Sequence, residues 1–125
     1  MPAKWHFEVL VLGVPEPELR IVRTAFLISQ GRARAYTLAA DPTHSDPDVL
    51  LVDGESDAAL ARRAANDRWR TAPALFLGKG DAGCARSAVM SRPLVPTRLL
   101  ASLDDVTRRF GALVPGLIRR PPDPT

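Results

Sequence analysis

At 125 residues the chain is long enough for a real core and too short for two ordinary domains. Its 46% hydrophobic and 25% charged residues are the fractions of an ordinary soluble globule. The formal charge of +3 comes from 17 basic against 14 acidic residues, and the arginines are scattered rather than clustered, so the excess is not a nucleic-acid footprint.

Phe7 to Leu12 (Phe-Glu-Val-Leu-Val-Leu) is an almost continuous apolar run bounded by Gly13 and reads as a first, central strand. Gly13 to Glu16 then forms the turn off its carboxyl end. Pro17 suits the first position of a helix, where its missing N–H costs nothing, and Glu18 favours the positive helix N-terminus. Leu19, Val22, Ala25 and Phe26 recur at helical spacing, with Phe26 in the core, and Gln30-Gly31 closes the helix. Arg34 to Leu38 reads as a short second strand. The ten residues between Leu38 and Val49 hold two prolines in a polar setting, so this crossover is expected to be extended or a single short turn, with the usual helix shortened or missing.

Pro47-Asp48-Val49-Leu50-Leu51-Val52-Asp53-Gly54 organises the rest. Four branched apolar residues in a row, bounded by turn residues, describe a strand buried on both faces of a parallel sheet, with Asp53 at its carboxyl end. That edge is where open α/β sheets bind ligands. Ser56 or Asp57 can cap a helix running to about Trp69, with Leu60, Ala61, Ala64, Ala65 and Trp69 on its inner side and an arginine-rich outer face. Pro73 to Gly78 carries a fourth strand. Ala82 to Ala88 reads as a short helix, and Val89 to Ser91 as a short fifth strand. Thr97 to Phe110 is a last helix, with Leu99, Leu103, Val106 and Phe110 in one stripe and Leu100 beside it. The alternation predicts a doubly wound α/β fold with five parallel strands. Residues 1–112 form the domain, and 113–125 read as a proline-rich tail or linker.

These segments resemble the receiver domains of two-component response regulators over about residues 7 to 110, and the resemblance implies a receiver- or flavodoxin-like strand order, 2-1-3-4-5. Pro47 to Asp53 looks like the third receiver strand, with Asp53 at the phosphoacceptor position. Pro73 to Leu77 looks like the fourth strand, and Arg92-Pro93-Leu94 before a Leu-rich helix resembles the family's Lys-Pro-Phe segment. Phosphoryl transfer to that aspartate needs a magnesium ion held by a pair of acids after the first strand. Here those positions are Gly13 and Val14, with Glu16 the only acid nearby. The family's hydroxyl residue after the fourth strand matches Gly78, its switching aromatic matches Val89, and its lysine matches Arg92, a flat fork rather than a point charge. The resemblance therefore implies a degenerate pseudo-receiver in which Asp53 is a relict acid, paired with Arg92 or Lys79.

The function implied is a signal-transduction and protein-interaction module of the phosphorelay type. It would work without phosphorylation or metal and regulate an attached or separate output domain. Leu94, Val95 and Leu100 would form an exposed apolar patch on the face between the family's fourth and fifth helices, which serves receivers for dimers and output contacts. One alternative is an atypical receiver still phosphorylated on Asp53, with Mg2+ held by Glu16, Asp53 and Glu55. Another is a small basic nucleic-acid-binding domain, which would need converging arginines.

An enzyme is not expected, because no nucleophile, base and orienting group stand together. The lone Cys84 allows no intramolecular disulfide and has no neighbouring histidine, so it reads as packing or surface. His6 and His44 give no zinc spacing. Trp5 reads as an edge-packing residue. No signal-peptide pattern opens the chain and no apolar run approaches the ~20 residues that span a bilayer, so the expected location is cytoplasmic.

Overall fold

Strands and helices alternate along the chain because apolar runs without room for polar residues alternate with segments of helical period. A computed structural model describes residues 5–39, 47–80 and 86–110. The elements are β1 (Trp5–Leu12), α1 (Glu16–Ser29), β2 (Arg34–Leu38), β3 (Val49–Asp53), α2 (Asp57–Ala64), α3 (Asp67–Thr71), β4 (Ala74–Leu77), β5 (Ser87–Met90) and α4 (Pro96–Phe110). The five strands form one all-parallel sheet in the order β2-β1-β3-β4-β5, a flavodoxin-like doubly wound arrangement.

Side chains alternate across the sheet and so divide the core in two. Phe7, Val9, Tyr36, Val49, Leu51, Leu75 and Leu77 face α1 and α4. Leu10, Leu12, Leu50, Val52, Ala74 and Phe76 face α2 and α3, where Trp69 packs. Every residue of β3 is buried, as expected of a central strand covered on both sides. Asp48 fixes the entry into β3: its Oδ2 accepts the Glu8 amide at 2.8 Å, and its own N–H donates to the Glu8 carbonyl at 2.9 Å.

Several boundaries differ from those expected. Trp5 and His6 extend β1, and Trp5 lies half-buried against the α1 and α4 core. Glu16 opens α1, with Pro17 one position inside it. The single helix expected from Ser56 to Trp69 is two. Ser56 Oγ caps the first by accepting the Ala59 amide, and Asn66 Oδ1 caps a second by accepting the Arg68 and Trp69 amides. The buried face of α2 is accordingly Ala59 and Arg63, with Leu60 half-buried; Ala61, Ala64 and Ala65 are exposed. Arg63 leaves the arginine-rich outer face, stacks on the Phe76 ring and donates to the Arg70 carbonyl at 3.0 Å. Ser87 and Ala88 begin β5 rather than ending a helix. Residues 82–85 of the expected 82–88 helix, Cys84 among them, His44, most of the proline-bearing crossover and the tail lie outside the described residues. No helix among the described residues is long and apolar enough to cross a membrane.

Candidate functional site

The buried run of β3 ends at Asp53 because the chain must turn there, and the turn is unusually close to its neighbour. A side chain on Gly54 would run into the Lys79 carbonyl, and the Gly54 N–H donates to the Leu77 carbonyl at 2.9 Å. Asp53 Oδ1 accepts the Glu55 amide at 2.9 Å, a turn in which an aspartate bonds its own backbone two residues on. The carboxylate is thereby fixed at the carboxyl edge of the sheet, and its side chain is only 11% exposed.

Arg92, in the segment leaving β5, fills the space in front of it. Its Nη2 lies 3.0 Å from Asp53 Oδ1. Nε and Nη2 take both oxygens of Glu18, at 2.7 and 3.0 Å, in a two-pronged ion pair with the first turn of α1. Nη1 holds Glu55 at 2.7 Å and approaches the Leu77 carbonyl at 3.5 Å. One guanidinium thus ties together α1, the end of β3, the β3–α2 turn and the end of β4. The Glu18 hydrogen bonds, reinforced by Asp53, push the Arg92 pKa further above its ordinary value despite partial burial, which works the other way. Gly78 leaves room for the guanidinium. It takes φ +80°, which favours glycine, and a Cβ there would stand 2.7 Å from Arg92 Nη1 and overlap the Glu55 carboxylate.

No protein-family model matches this chain, and no curated protein matches it.

Of the predicted site residues, Asp53, Gly78 and Arg92 come together. Glu16 does not: it pairs with Arg23 at 3.0 Å on the exposed side of α1, because the first helical turn points it away from the strand ends. Among the described residues, no three histidines, cysteines, aspartates or glutamates could hold a metal ion. Val89 sits on the edge strand with 54% of its surface exposed. The expected patch of Leu94, Val95 and Leu100 is not formed. Leu94 and Leu100 are buried in the α1 and α4 core, because the turn before α4 folds Leu94 inward and Leu100 shares the helix's inner face; Val95 alone is exposed. Arg23, Arg32, Arg70, Arg92 and Arg109 are each engaged by acids on different parts of the molecule.

Sequence reasoning missed two things. Glu18 has a sufficient local reading at the positive end of the helix dipole, although the topology brings the first turn of α1 to the same edge as Asp53. The other is a buried polar cluster where α4 meets β2 and the turn before it. There the Tyr36 hydroxyl donates to Asp104 Oδ1 at 2.7 Å, Arg32 pairs with Asp104 Oδ2 at 2.5 Å, and Arg34 donates to Thr107 at 2.9 Å. Burial pushes the Tyr36 hydroxyl well above its ordinary pKa; Thr107 opposes this and Asp104 reinforces it. Nothing local in the sequence links residues so far apart.

Proposed function

We propose that this chain is a receiver-like signalling and protein-interaction module that works without phosphorylation and regulates an attached or separate output domain. The observation that carries the reading is the contact of Arg92 with Asp53, Glu18 and Glu55. An aspartate that accepts a phosphoryl group needs an approach for the donor and a divalent cation to neutralise the charge that develops. Here the carboxylate is nearly buried, its Oδ1 already accepts the Glu55 amide and pairs with Arg92 Nη2, and a tethered guanidinium occupies the place in front of it. The charge balance that phosphorylation would alter is held by the chain itself.

On this reading the module presents one constant surface to its partner, and its regulation lies in association rather than in a chemical switch. A cytoplasmic setting suits it, since a chain with one cysteine has no need of an oxidising compartment. The test is incubation with acetyl phosphate and Mg2+ followed by intact-mass measurement. No phosphoryl adduct is expected. An adduct lost in the Asp53→Asn variant would instead establish the rival reading, an atypical receiver that takes phosphate on Asp53 with Mg2+.

A further inference from the structure

We infer that Glu18, Asp53, Glu55 and the gap at Gly78 form a guanidinium-binding site, with the chain's own Arg92 as resident ligand, and that this site selects a planar guanidinium over a divalent metal ion. The inference deepens the proposed function and rests on its reading of Arg92, rather than a metal, as the cation at this edge.

Two independent features point to this ligand. The first is the distribution of acceptors. Nε and Nη2 meet the two oxygens of Glu18, Nη2 also meets Asp53, and Nη1 meets Glu55, so every nitrogen of the fork meets a carboxylate. Acceptors placed 2.7 to 3.0 Å from three separate nitrogens surround the rim of a flat cation. Magnesium instead draws its oxygens to about 2.1 Å around one point in octahedral geometry. Consistent with that, no three acids among the described residues are gathered closely enough to hold a metal.

The second feature is the backbone at Gly78. The chain passes so near the guanidinium that a Cβ would press on Nη1 and on the Glu55 carboxylate. The glycine thus leaves the guanidinium and the Glu55 carboxylate the space that a side chain would contest. Three carboxylates around one guanidinium leave an excess of negative charge, yet the geometry directs it to a donor array instead of a point ion. The edge is kept closed in cis.

Chemical rescue tests this. Arg92→Ala should melt at a lower temperature than the wild type. Methylguanidinium at low millimolar concentration should raise the melting temperature of Arg92→Ala by ~4 °C or more. It should leave the wild type and the Arg92→Ala/Glu18→Gln double variant unmoved, and equimolar Mg2+ should not substitute for it. Stabilisation by Mg2+, or an equal effect of methylguanidinium on the double variant, would overturn the inference. Should Arg92→Ala not fold, NMR of the wild type decides: separate Arg92 Nη1 and Nη2 signals that persist with Mg2+ are expected, and one averaged signal is the contrary result. Phosphorylation of Asp53 by acetyl phosphate would sink the proposed function without altering these rescue titrations, so the two failures are distinguishable.

Discussion

A single side chain, Arg92, meets three acids that are not equivalent. Glu18 is 18% exposed and bonded through both oxygens, whereas Glu55 is 58% exposed and bonded through one. Solvent screens the second pair far more than the first. Glu18→Gln should therefore cost about 1–2 kcal/mol in denaturant unfolding and Glu55→Gln under about 0.5 kcal/mol; equal costs would show that the bidentate geometry is not what matters. Tyr36 is the chain's only tyrosine, so its ionisation can be read directly by ultraviolet absorbance. Its pKa is raised in the folded state, so its contribution to stability is fully present below pH about 10 and is lost as pH rises toward the higher native value, because the unfolded chain ionises first. An alkaline titration should show no tyrosinate until the protein unfolds, and ionisation near pH 10 with the fold intact would contradict the buried Tyr36–Asp104 bond. At this scale Asp53 was legible in the sequence, because it stands where an apolar strand gives way to a turn, whereas Arg92 was marked only by the resemblance of Arg92-Pro93-Leu94 to the receiver Lys-Pro-Phe segment. Glu18 was not, because a glutamate in a first helical turn has an adequate local explanation and its distant partner is visible only once the sheet is assembled.

The elements followed their local signals wherever those signals were complete. β2 spans Arg34–Leu38 and β3 ends at Asp53, both as read from runs bounded by turn residues. One departure is the break between α2 and α3. An Ala- and Arg-rich run keeps its helical character across Ala65, and only Asn66, a strong N-cap residue, signals the restart. Asn66→Ala removes the acceptor for the Arg68 and Trp69 amides and should lower stability by about 1 kcal/mol, with Trp69 fluorescence moving toward that of an exposed indole. An unchanged spectrum and unfolding midpoint would mean that Trp69 packing alone sets the position of α3. Arg63 makes the same point about orientation: its charge suggests an outer face, but the phase set by the Ser56 cap turns it inward onto Phe76.

For the whole molecule, alternation of strand and helix was enough to anticipate a doubly wound parallel sheet, while its order, β2-β1-β3-β4-β5, was anticipated only through the resemblance to receiver domains. The surface was less legible. Leu94 and Leu100 turned inward, while Leu27 and Ile28 at the end of α1 are exposed, because side-chain direction at helix ends depends on how neighbouring elements are docked. The central claim is that the carboxyl edge of this sheet is held by an internal ion pair rather than poised for phosphate and metal. A double-mutant cycle on Asp53→Asn and Arg92→Met, run by denaturant unfolding with and without Mg2+, tests it most directly. A favourable coupling of about 1–2 kcal/mol, the same in both conditions, is the expected result. Zero coupling, or a wild type that gains stability from Mg2+, would contradict the account.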